Sequence, residues 1–223
     1  MSAASHRAPR IWDISEPIDE STAQFPGDTP FSREWVARIE NGAPCNVSTM
    51  RMSVHVGTHT DAPLHFDVAG RDMASVDLRA YIGRCRVVDV RGEGSPNEIP
   101  AYLLTDAMLN GCERILFRTS QSHDHRVFDA NFCAVGPKAA QRLVDKGMLL
   151  VGIDTPSIDH AVSKDLQGHH ALYRGSVAIL ENLDLRGVPA GDYELIALPL
   201  RIVGSDSSPV RAILRELAPA IGS

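Results

Sequence analysis

Cysteine is scarce and scattered in this 223-residue chain. Cys45, Cys85, Cys112 and Cys133 contain no C-x-x-C pair, which speaks against a disulfide framework and against a cysteine zinc site. Cys85 lies in an apolar strand pattern and reads as core filler. No apolar run approaches the roughly 18 to 20 residues that a membrane-spanning helix needs. Met1–Arg10 is polar and lacks the apolar centre of a signal peptide, so a cytoplasmic location is the expectation. Positive charge is not in excess either. A net charge of −6 would repel the phosphates of nucleic acids and anionic lipids. The nucleophile elbow G-x-S-x-G, the phosphate loop G-x-x-x-x-G-K-[ST], the dinucleotide fingerprint G-x-G-x-x-G and the zinc motif H-E-x-x-H are all missing. With no linker, repeat or low-complexity tract, residues 11–223 are expected to form one domain behind a disordered lead, residues 1–10.

What is present is ordinary for a globular chain able to bury a core: 43% apolar and 22% charged residues. Strands are expected at Ile11–Ser15, Val47–Val56, Arg84–Val90, Arg114–Thr119, Leu149–Ile153, Ser176–Leu180 and Tyr193–Leu198. Pro137–Lys146 reads as a helix, with proline in the first turn, an apolar stripe of Ala140, Leu143 and Val144, and Gly147 as its stop. Thr105–Leu109 reads as a short helix and Val210–Leu217 as a closing one. Strands outnumber helices and the helices fall between strands, which predicts a mixed α/β layered domain.

The chemistry gathers in His55-Val56-Gly57-Thr58-His59-Thr60-Asp61-Ala62-Pro63-Leu64-His65. Neutral imidazole and carboxylate are common ligands of zinc and similar ions. In an extended strand His55 and His59 would stand about 13 Å apart, too far to share one ion at about 2 Å each. A continuous helix would put those two histidines on one face and send Asp61 elsewhere. The chain must turn sharply between the histidines, and Gly57 permits this because it lacks a Cβ. Pro63 stiffens the exit and keeps Ala62 extended.

A second group lies far downstream. His169 and His170 sit in a polar stretch, and Glu181 ends the apolar run Val177–Leu180. A buried carboxylate there needs a cation beside it; an exposed strand end would need none. His123 and His125 are ligands by type, but their charged surroundings read as a solvated loop.

The motif H-x-G-T-H-x-D-x-P-x-H at His55–His65 resembles the signature of cyclase-family metal-dependent hydrolases, most closely their bacterial kynurenine formamidase branch. The resemblance also covers Trp12–Ser15, Phe25–Phe31, Val151–Ser157, Pro189–Leu195, Ala197–Leu200 and Ser208–Arg211. It implies a swivelling β/β/α fold, a homodimer and two zinc ions per chain. His55, His59 and Asp61 would hold one ion, with Asp61 bridging to the second. His169 and Glu181 would complete the pair, His169 being preferred over His170 by its spacing to Glu181. His65 would be the proton donor and acceptor. Phe25 stands where the family often carries a substrate-contacting tryptophan; it keeps an aromatic face but lacks the indole N–H.

The implied reaction is metal-assisted hydrolysis of N-formyl-L-kynurenine to L-kynurenine and formate. The alternatives are a sister hydrolase of another aryl or cyclic amide such as isatin, and a non-catalytic binding protein stabilised by metal. Structural zinc sites are normally closed by four protein ligands, whereas His65 beside an Asp61/Glu181 pair points to an open site.

Overall fold

The apolar runs of the sequence become the middle of one large sheet. The computed structural model describes residues 8–92, 97–120 and 124–217. Among them are β1 (Ile11–Asp13), β2 (Ser32–Ala37), β3 (Val47–Arg51), β4 (His59–Asp61), β5 (Ile82–Asp89), β6 (Glu98–Ile99) and β7 (Arg114–Arg118). These are followed by β8 (Ala134–Val135), β9 (Leu150–Ile153), β10 (Ala178–Glu181), β11 (Gly191–Ile196), β12 (Ser207–Pro209) and β13 (Ile213–Glu216). The helices are α1 (Asp106–Leu109), α2 (Pro137–Asp145) and α3 (Gln167–Arg174), with short 3₁₀ turns in several connections.

Nine strands form the main sheet in the order β1-β13-β11-β5-β7-β9-β10-β4-β12. Its centre, β5-β7-β9-β10, is parallel, and antiparallel strands flank it on both sides. β7 and β9 are buried along their whole length, as parallel strands covered on both faces require. On one face, Ala139 and Leu143 of α2 and Leu172 of α3 pack with Phe117, Ile153 and Ile179. On the other, Tyr81, Cys85, Leu116, Leu150, Leu195 and Leu214 make a second apolar layer. This mixed α/β architecture is the fold class that the sequence predicts. β2 and β3 pair only with each other, as an antiparallel hairpin outside the main sheet. That hairpin carries Trp35, Val36, Val47 and Met50 on its exposed surface.

The structure departs from the sequence reading in three places. Val210–Leu217 contains the strand β13 rather than a helix: Ala212 and Leu214 are buried while Arg211 and Arg215 are exposed, a period of two that suits a strand between β1 and β11. The strand expected over Val47–Val56 stops at Arg51, and His55 lies in the turn that follows. The polar stretch around His169 is helical. Its apolar face is short, and it opens at Leu166 in the left-handed region (φ 41°) with no side-chain cap, so it lacks the usual start signal. Residues 1–7 and His123 lie outside the described residues. Arg10 is hydrogen-bonded to Glu216 at the end of β13.

Candidate active site

Strand register assembles the first part of the site. β4 lies between β10, with Glu181 opposite His59, and β12, with Ser207 opposite Asp61. Alternation sends the side chains of His59 and Asp61 to one face of the sheet, where Glu181 meets them. All three are buried. The turn before β4 depends on Gly57, whose φ is +70°; a Cβ there would also come within 2.8 Å of Ile18. This turn folds His55 back until its Nδ1 is 3.3 Å from Asp61 Oδ1.

α3 delivers His169 from the opposite side. Its Nε2 lies 3.1 Å from Glu181 Oε1 and 3.7 Å from Asp61 Oδ2. Glu181 Oε2 is 3.2 Å from His59 Nε2. Each carboxylate therefore divides its two oxygens between two histidine groups. His170, the neighbour, is not among the groups gathered here.

Two ring orientations are fixed from outside. His59 Nδ1 lies 2.9 Å from the Gly57 carbonyl, which only accepts, so Nδ1 carries the proton and Nε2 presents its lone pair. His169 Nδ1 lies 2.7 Å from Asp159 Oδ2. Asp159 in turn accepts the backbone N–H groups of Gly168 and His169, both at 2.9 Å. Such a carboxylate behind an imidazole orients it and raises its basicity toward a metal. Sequence reasoning missed Asp159, although an acid ten residues before a candidate ligand histidine is a usable signal.

The site demands positive charge. Burial pushes the His55 imidazole down, but Asp61 and Asp206 outweigh it and raise its pKa to about 9. Burial likewise opposes the proton on His169, yet Asp159 and Glu181 lift it to about 10. Burial disfavours the Glu181 charge, and the hydrogen bond from His169, with the His59 imidazole close by, still holds its pKa below the usual carboxylate range. A divalent cation would supply the charge that the carboxylates otherwise draw from protons on the imidazoles. The donor set fits one. His59 Nε2 and both Asp61 oxygens are buried with no hydrogen-bond partner among the described residues. The trios His55/His59/Asp61 and Asp61/His169/Glu181 each keep their ligand-type atoms within 4.8 Å of one another, and nitrogen with carboxylate oxygen suits zinc and related ions.

His65 sits at the edge of this group, in the 3₁₀ turn that Pro63 begins. Its side chain is 32% exposed, with Nδ1 3.3 Å from Asp206 Oδ2. Asp206, missed in the sequence, also lies 2.9 Å from His55 Nε2, and with His55 and His65 it forms a third, more open trio. A cavity of about 270 Å³ opens over the site, lined by His55, His59, His65, His169 and Glu181. Phe25 forms part of its wall, meeting Phe128 edge-on at 5.1 Å. Among the described residues that line it there is no cysteine. His125 corrects the solvated-loop reading: it faces the same cavity, only 11% exposed, 3.2 Å from the buried carboxylate of Glu16.

Residues 12–160 match the family model described as "Putative cyclase". A kynurenine formamidase of Paracidovorax citrulli (strain AAC00-1) is 47% identical over 210 residues, covering 93% of this chain and 97% of that protein. Among solved structures, one described as a potential metal-dependent hydrolase with cyclase activity superposes with a TM-score of 0.81 at 30% identity, covering 95% of this chain and 100% of the other. An isatin hydrolase bound to its product analogue thioisatinate has a TM-score of 0.81 at 22% identity, covering 95% and 94%, and at that distance shares the fold alone.

Proposed function

This chain belongs to the cyclase family, and from that premise we propose that it hydrolyses the formamide bond of N-formyl-L-kynurenine, yielding L-kynurenine and formate. The observation that carries the reading is the division of the Asp61 and Glu181 oxygens between His59 and His169, with His59, His169 and Glu181 lining the cavity that would admit an aryl substrate.

His55, His59, Asp61, His169 and Glu181 would hold two divalent ions, zinc being the natural choice for these donors. Asp61 belongs to both trios and would help to hold both ions. When bound, the ions polarise the formyl carbonyl and lower the pKa of a water toward neutrality. Around them the protein handles protons and orientation. Water adds to the formyl carbon and gives up a proton to His65, the C–N bond breaks, and His65 passes that proton to the departing arylamine nitrogen, a task suited to an imidazole near neutral pH. Asp206 accepts from His65 Nδ1–H, which leaves Nε2 as the nitrogen that meets the substrate. Phe25 and Phe128 offer aromatic surface to the anthraniloyl ring. The partial exposure of His65 favours catalysis over a closed structural metal site.

A homodimer fits the same reading. The β2–β3 hairpin presents Val36 at 67% and Met50 at 63% exposure, apolar surface that a second copy would cover. A cytoplasmic location accords with the composition; no described helix is long and apolar enough to cross a membrane.

The test is turnover of N-formyl-L-kynurenine by purified protein, with and without a chelator, followed by metal restoration. Activity should vanish with the chelator and return with zinc. Metal-replete protein that leaves the substrate intact would overturn the assignment.

A further inference from the structure

The proposed reaction uses the floor of the cavity and leaves one wall unexplained. Glu16 follows β1 and is tied down by its backbone N–H, which donates to Thr58 Oγ1 at 2.9 Å. Its side chain is 1% exposed and lines the same cavity as the histidine cluster. Oε2 has neighbours, His125 Nδ1 at 3.2 Å and Arg186 Nη2 at 3.5 Å. Oε1 has no hydrogen-bond partner among the described residues. A buried carboxylate oxygen left in this state is costly unless something that enters the cavity satisfies it.

The surroundings say what sign that partner has. Asp184, Asp124 and Asp154 add negative charge around Glu16, against the positive charge of Arg186. Burial is the largest influence and, with Asp184, lifts the Glu16 carboxyl to about 7. A cation arriving at Oε1 would relieve that penalty; an anion would deepen it. His125 adds a second polar group on this wall, both of its ring nitrogens being buried without a hydrogen-bond partner. Its backbone carbonyl accepts the Ala23 N–H at 2.8 Å, which joins its loop to the segment that leads into Phe25. The aromatic wall and the acidic one are thus built from the same two pieces of chain.

We propose that Glu16 is a specificity-determining residue: its Oε1 accepts an N–H from a primary ammonium group at the end of the substrate remote from the formamide. Resting on the formamidase reading, this assigns to Glu16 the α-ammonium of the amino-acid side arm. His125 lies beside it and faces the rest of that zwitterionic arm. The site therefore distinguishes aryl amides that carry an amino-acid arm from ring amides such as isatin, which have none. No covalent step is involved.

Binding of products tests this separately from turnover. Metal-loaded wild type should bind L-kynurenine at least about tenfold more tightly than 2′-aminoacetophenone, which has the same aryl amine and no ammonium arm. Glu16→Gln should abolish most of that preference while leaving 2′-aminoacetophenone binding within about twofold. Glu16→Asp, which keeps the charge but shortens its reach, should fall between. Equal affinities in the wild type, or a preference that survives in Glu16→Gln, would overturn the proposal. Should Glu16→Gln fail to fold, Nα-acetyl-kynurenine decides the matter on the wild type: blocking the ammonium should cost about the same factor, and no loss refutes the assignment. Failure of the wild type to hydrolyse N-formyl-L-kynurenine would strike the formamidase reading instead, and the binding preference would still be measured.

Discussion

His59 and Glu181 stand directly opposite one another across β4 and β10, with His59 Nε2 3.2 Å from Glu181 Oε2. A strand slip of one residue would turn both side chains to the other face. The pairing that stabilises this edge of the sheet therefore also sets the distance between two proposed ligands. Asp61 lies two residues beyond His59, on the same face, and supplies one oxygen to each trio.

Asp61→Asn should consequently lower metal content at both positions, not at one. Elemental analysis of the purified variant checks this. Two ions per chain at full occupancy would remove Asp61 from its bridging role.

His65 should separate metal binding from chemistry. His65→Ala is expected to retain its ions and to lose roughly 10²–10⁴-fold in kcat. If the variant instead loses an ion, the open trio of His55, His65 and Asp206 is a metal site and His65 is a ligand.

Asp159 acts through His169. Replacing it by alanine removes the acceptor that holds His169 Nδ1 at 2.7 Å and should weaken metal affinity by about 10- to 100-fold. Competition with a chromophoric chelator reads the change directly. Because Asp159 also accepts two backbone N–H groups, some loss of stability is expected with it; unchanged metal affinity would make its role purely structural.

Phe25 is 37% exposed and touches Phe128. Stacking on a substrate ring should be worth about 0.5–1.5 kcal/mol beyond area burial. Phe25→Ala should thus raise KM several-fold, leaving melting temperature and metal content nearly unchanged, and Phe25→Trp should be tolerated. A variant that melts much lower but keeps its KM would place Phe25 in the core instead.

Glu16 also predicts a pH dependence of stability. Burial, reinforced by Asp184, raises its pKa from 4.5 to about 7 in the folded protein. Between those values the unfolded chain releases a proton that the folded chain keeps, so stability falls as pH rises through this window and is fully present below it. Glu16→Gln should remove that slope, the difference reaching at most about 3 kcal/mol. Denaturant unfolding of both proteins from pH 4 to 8 measures it, and a difference that stays flat with pH contradicts the burial argument.

The sequence by itself determined the local features. Gly57 announced the turn between His55 and His59 because only a residue without a Cβ takes that backbone angle at low cost. Pro137 and Gly147 bounded α2, and the apolar runs at Arg114–Arg118 and Leu150–Ile153 became the buried parallel centre. Tertiary structure decided everything that depends on register and burial. Glu181 could be read equally as an exposed strand end until β10 paired with β4 and enclosed it. Val210–Leu217 contains a strand because the sheet between β1 and β11 needed one. His125 looked like a solvated polar residue by its neighbours in sequence, and only the folding of two distant segments onto one cavity put it beside Glu16. Local sequence encodes which backbone angles and faces are cheap. Which polar groups lose their water is set by contacts between residues far apart in the chain.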